Sequence, residues 1–97
     1  MLIKKVIERL CHVTFVMQPE MDVRGVWVCG DFNDWEQTSY PMERCKDGSF
    51  ERTIPLNTGQ SYRFRYRLAN GDWENDWGAD EYLANPYGGR DSVVNTD

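Results

Sequence analysis

The 97-residue chain has a single histidine, His12, and three widely separated cysteines, Cys11, Cys29 and Cys45, with no Cys-x-x-Cys pair. A zinc site needs clustered thiolates or imidazoles, so no metal is expected. A disulfide framework wants an even count of cysteines. The three are therefore read as reduced thiols of a cytoplasmic protein, some buried as small hydrophobes. No apolar run approaches the roughly 20 residues of a membrane helix, and Glu8 and Arg9 interrupt the N-terminal stretch before it resembles a signal peptide. Membrane partners are excluded on that basis. Lys and Arg number 11 against 16 Asp and Glu, for a net charge of −5. A phosphate-backbone binder needs a basic face, so nucleic acid is excluded as well. No phosphate-cradling glycine loop is present, Gly88-Gly89 alone being too weak a signal. His12 has no Ser- or Cys-centred motif beside it. A chain this short holds one core and no deep walled cleft, which excludes two-domain enzymes and doubly wound nucleotide folds.

What the chain does have is aromatic rings: four Trp, five Tyr and four Phe, 13% of its residues. Their placement follows the period of a strand. In residues 62–68, Tyr62, Phe64, Tyr66 and Leu68 alternate with Arg63, Arg65 and Arg67, which predicts a half-buried strand with a basic outer face. Residues 25–30 (Gly-Val-Trp-Val-Cys-Gly) read as a mostly buried strand, with Trp27 in the core. Residues 12–17, ended by Gln18-Pro19, residues 49–56 and Val93-Val94 complete the strand segments. Asp47-Gly48, Asn57-Thr58-Gly59 and Asn70-Gly71 supply turns, the last a hairpin signal. Short strands at such spacing predict an all-β sandwich. Leu2, Ile3, Val6, Ile7 and Leu10 fit a helical stripe as well as a strand, so residues 1–10 form a segment of open conformation ahead of a single domain over 11–97.

Carboxylate pairs occur at Asp31/Asp34, Glu74/Asp76 and Asp80/Glu81. A glycosidase needs two carboxyls facing across a bound sugar; these lie in short loops and read as solvated turn acids. No catalytic residue and no cofactor are expected. The tryptophans are more telling. Trp35 ends the polar turn Gly30-Asp31-Phe32-Asn33-Asp34-Trp35, and Trp73 and Trp77 lie in another polar stretch, residues 70–77. An indole among Asp, Asn and Gly either folds back as a lid over the core or shows its face to solvent. Two such rings in an acidic domain suit a neutral ligand read by ring faces, with the arginine stripe either supplying hydrogen-bond donors or forming a solvated sheet face paired to neighbouring acids.

The run Val26-Trp27-Val28-Cys29-Gly30-Asp31-Phe32-Asn33-Asp34-Trp35, then Pro41-Met42, Asp47-Gly48-Ser49-Phe50, Tyr62-Arg63-Phe64-Arg65-Tyr66 and Asn70-Gly71-Asp72-Trp73 resembles carbohydrate-binding module family 48 over roughly residues 11–95. That family includes the glycogen-binding domain of the AMP-activated protein kinase β subunit and the early-set domains of isoamylase and branching enzymes. The stretch from Trp73 to Gly89 looks most like its small stand-alone bacterial members. The resemblance implies an immunoglobulin-like, early-set β-sandwich of about seven to eight short strands that binds α-glucans without catalysis. Trp35 and Trp73 match the two tryptophans that stack on consecutive glucose units. Arg65 matches the basic residue that donates to a hydroxyl, with Arg63 or Arg67 as substitutes. In the loop before the last strand, Tyr87, Gly89 and Asp91 fall where the family has Leu, Thr and Asn. Tyr87 keeps the capacity to stack and Asp91 to accept, while Gly89 loses a hydroxyl. The departures at Gly89 and Asp91 leave an alternative: an early-set protein-interaction domain that has lost sugar binding and serves glycoside hydrolase or branching-enzyme systems. The partners implied are an α-glucan oligosaccharide or polysaccharide and an enzyme of glycogen metabolism, with the chain a monomer or weak dimer.

Overall fold

The computed structural model describes residues 1–18 and 23–97; Pro19, read as the end of a strand segment, lies outside them. Nine strands occur among the described residues: Leu2–Ile7 (β1), Leu10–Met17 (β2), Val26–Gly30 (β3), Glu43–Arg44 (β4), Phe50–Asn57 (β5), Ser61–Leu68 (β6), Trp73–Glu74 (β7), Glu81–Ala84 (β8) and Arg90–Asn95 (β9). Seven have four residues or more; β4 and β7 are two-residue pieces. One sheet runs β1-β2-β5-β4 and the other β3-β6-β9-β8, with β7 also paired to β6. Every pairing is antiparallel. The protein is an all-β sandwich. No helix of the described residues is long and apolar enough to cross a membrane.

Alternation sets the core. From the first sheet, Cys11, Val13, Phe15 and Met17 of β2 face inward beside Leu56, Ile54 and Phe50 of β5. From the second, Val26 and Val28 of β3 and Phe64, Tyr66 and Leu68 of β6 meet them. Phe15 and Phe64 touch edge to face across the two sheets, ring centres 4.9 Å apart. Burying each of these rings stabilises the fold by roughly 1.5–3 kcal/mol. The stripe read from residues 62–68 holds: Phe64, Tyr66 and Leu68 are buried, and Tyr62 packs against the core from its edge.

Two sequence readings are corrected. Trp27 is not in the core. Its neighbours Val26 and Val28 take the inward positions, so strand parity turns Trp27 outward, where it is half-buried opposite Arg67. Asp76 is not a solvated turn acid. Its carboxylate is buried and accepts from the Tyr66 hydroxyl at 2.5 Å, the Gly78 amide at 2.7 Å and the N-terminal ammonium of Met1 at 2.5 Å. Buried charge is tolerated only with such partners. The segment of open conformation is strand: β1 pairs with β2 through a two-residue turn in which Glu8 and Arg9 both have positive φ.

Gly30, at the end of β3, is required by space rather than by conformation, since its backbone is extended (φ −173°). A Cβ there would overlap the Arg63 carbonyl oxygen and lie 2.8 Å from the Phe32 ring and 2.9 Å from Phe64 Cβ. Gly30→Ala is expected to cost about 2–3 kcal/mol, the upper range of overpacking. Urea denaturation reads this directly.

Candidate functional site

The chain leaves β3 through a single 3-10 turn, Asp31–Asn33. Phe32 drops its ring against Phe15 (5.5 Å between centres), Tyr40 (6.0 Å) and Tyr62 (6.2 Å), pinning the turn to the end of the core. Asn33 accepts from the Gly30 amide at 3.0 Å and donates to Ser39 Oγ at 2.8 Å. Asp34 and Trp35 then follow with φ of 55° and 58°. Two successive non-glycine residues in the left-handed region cost on the order of 1–2 kcal/mol each. Surrounding contacts hold them there: the Trp35 amide donates to the Gly30 carbonyl at 2.9 Å, and its indole Nε1 donates to Asp31 Oδ1 at 2.9 Å. Asp31 Oδ2 in turn accepts from the Arg63 amide at 2.8 Å. One carboxylate thus ties the edge of the Trp35 ring to β6.

The second tryptophan arrives by the hairpin. Gly71 takes φ 94°, the Asn70 side chain accepts from the Asp72 amide at 2.9 Å, and the chain returns to pair Trp73 with Arg67. Cross-strand partners share a face, so Trp27, Arg67 and Trp73 form one row on the outer side of the second sheet. Cys29 lies in the next row, opposite Arg65. Burial pushes the Cys29 thiol up to about 11, against a smaller downward pull from Arg67, so it stays neutral beneath the arginines. Cys11 and Cys29 are buried and all three cysteines are free thiols.

A depression of about 620 Å³ on this face is lined by Trp35, Gln37, Arg63, Arg65, Trp73, Asn85, Pro86, Tyr87 and Asp91. All six residues singled out from the sequence border it. Arg67, the substitute donor, does not, and Trp77, 93% exposed, borders two other depressions instead. The two arginines are in different states. Arg63 Nη1 donates to the Ala84 carbonyl at 3.2 Å and to Asp91 Oδ2 at 3.3 Å. Arg65 Nε is buried and has no hydrogen-bond partner among the described residues. Asp91 is only 8% exposed, whereas Tyr87 is 93% exposed at the tip of the β8–β9 loop. Gln37, Asn85 and Pro86 were not singled out, because a lone amide or proline in a loop carries no spacing signal. Chemically the depression is bordered by two half-buried indoles, an exposed phenol, the Arg63 and Arg65 side chains and the side-chain amides of Gln37 and Asn85. No group of three or more His, Cys, Asp or Glu among the described residues is placed to hold a metal ion.

Residues 22–88 match the model of carbohydrate-binding module 48 (isoamylase N-terminal domain). A 1,4-alpha-glucan-branching enzyme of Dictyostelium discoideum is 35% identical over 57 residues, a stretch that covers 50% of this chain and 8% of that enzyme.

Proposed function

The chain belongs to the carbohydrate-binding module 48 family, and from that membership we propose that it is a non-catalytic module binding α-1,4-linked glucans such as glycogen, starch or maltodextrin. Trp35 and Trp73 stack on glucose rings, and Arg65 donates to a hydroxyl. The observation that carries the reading is the meeting of both tryptophans with the Arg65 guanidinium in one depression. An indole face complements the C–H face of a sugar ring, and a guanidinium beside it is a charged donor suited to a hydroxyl. The face is open, so affinity is modest: dissociation constants between micromolar and millimolar, roughly −8 to −4 kcal/mol. Its place is the cytoplasm, beside an enzyme of glycogen metabolism.

Calorimetric titration tests the proposal. Maltoheptaose and β-cyclodextrin are expected to release heat and saturate in that range, and the β-linked cellohexaose to give none. Absence of heat with all three at millimolar concentration removes the proposal. It leaves the second reading, a protein-interaction domain, which the exposed apolar residues near the β1–β2 turn favour: Val6 is 61% and Ile7 43% exposed.

A further inference from the structure

We propose that Asn85 and Asp91 are positioning residues that hold the β8–β9 loop, and with it Tyr87, in the conformation that meets the glucan; this rests on the function proposed above. A side chain 93% exposed at a loop tip contacts a ligand efficiently only if its backbone is ordered beforehand, since ordering on binding is subtracted from affinity. Asn85 supplies that order. Its Oδ1 accepts from the Tyr87 amide at 3.0 Å and the Gly89 amide at 3.1 Å. Its backbone amide donates to the Gly89 carbonyl at 2.9 Å, closing the loop, and Gly88 takes the turn with φ 89°. The amide nitrogen Nδ2 then donates to Asp91 Oδ1 at 3.1 Å. Asp91 Oδ2 is taken by Arg63, which also holds the Ala84 carbonyl where the loop departs. Both carboxylate oxygens of Asp91 are thus engaged by protein donors and the residue is nearly buried. Asp91 is therefore assigned to the loop, not to a sugar hydroxyl, and Arg63 joins it. Stacking is left to Trp35, Trp73 and Tyr87, and donation to Arg65.

The test pairs loop order with binding. In the free protein, Asn85→Ala is expected to raise the nanosecond mobility of the Tyr87 and Gly88 amides, read by ¹⁵N relaxation, with the strands unchanged. In titration with maltoheptaose, Asn85→Ala and Tyr87→Ala are each expected to weaken binding about fivefold to tenfold. The double variant is expected to bind no worse than Tyr87→Ala, because Asn85 acts through Tyr87. The exchanged pair Asn85→Asp/Asp91→Asn keeps one acceptor for the loop amides and one donor between the two side chains, and should restore loop order and affinity to within about twofold of the original. Unchanged amide mobility in Asn85→Ala overturns the positioning role whether or not sugar binds. Fully additive losses, or a loosened loop with unaltered affinity, overturn it as well. If the unsubstituted protein binds no maltoheptaose, the glucan reading fails and the inference fails with it, while the relaxation data still report whether Asn85 holds the loop.

Discussion

Trp35→Ala and Trp73→Ala are each expected to lower affinity for maltoheptaose by about thirtyfold or more, equivalent to roughly 2 kcal/mol, the scale of an aromatic anchor in a small interface. From a millimolar or high micromolar starting point, either change removes glycogen pull-down. Both rings are only half-buried, so neither substitution opens a core cavity. The two sites differ in a way that urea denaturation can resolve. Trp35 occupies the left-handed region, where any L-residue with a Cβ is strained. Trp35→Gly is therefore expected to be at least as stable as Trp35→Ala while binding equally poorly. A position whose strain is relieved by the variant that destroys binding is one where backbone energy is held for function. If both alanine variants bind glucan like the original chain, the stacking role is wrong.

The second large effect concerns stability. Asp76→Ala is expected to cost about 3 kcal/mol, because it strands a buried tyrosine hydroxyl, an amide and an ammonium that share the carboxylate. A domain of this size holds only about 5–15 kcal/mol in total, so a large fraction of the folded population is lost at elevated temperature. Tyr66→Phe, which removes one donor and keeps the ring in the core, is expected to cost about 1–2 kcal/mol. The same contact sets an alkaline limit. Burial, the adjacent Asp76 charge and the hydrogen bond to Asp76 raise the Tyr66 phenol well above its ordinary value of 10.0. The unfolded chain therefore releases that proton first as pH rises past 10. With fewer protons bound in the unfolded state, stability falls with pH there, by up to about 1.4 kcal/mol per unit. The contribution of Tyr66 is fully present below pH 10. Urea denaturation between pH 9 and 11 should show a slope in the original chain that is shallower in Tyr66→Phe; equal slopes would assign the alkaline limit to other groups.

Much of this architecture was legible in the sequence, because alternation is a physical signature of a half-buried strand. Residues 62–68 declare their inward and outward faces unaided, and the glycines at 48, 59 and 71 mark turns that all take positive φ. Trp27 was misplaced for a reason intrinsic to a continuous apolar run: Val26, Trp27, Val28 and Cys29 have no polar partner to mark which parity faces in. β1 was open between helix and strand because an edge strand overhanging the core leaves Ile3, Val6 and Ile7 exposed on both faces, so no single period describes it. The loop tryptophans were readable from their polar surroundings. The buried state of Asp76 was not, since it depends on Tyr66 ten residues earlier and on Met1 at the far end of the chain. For the same reason Asp91 read as a free acceptor, although its partners Asn85 and Arg63 come from a loop and a strand far apart in sequence. Polar networks are made by the fold, and spacing cannot display them.

The most direct test of the central claim is a maltoheptaose titration followed at the four indole Nε1–H resonances. The account predicts progressive, saturable shifts for Trp35 and Trp73, which line the depression, while Trp27 and Trp77 stay in place. Shifts confined to Trp77 or Trp27, or no shift at any indole with millimolar sugar, would contradict it.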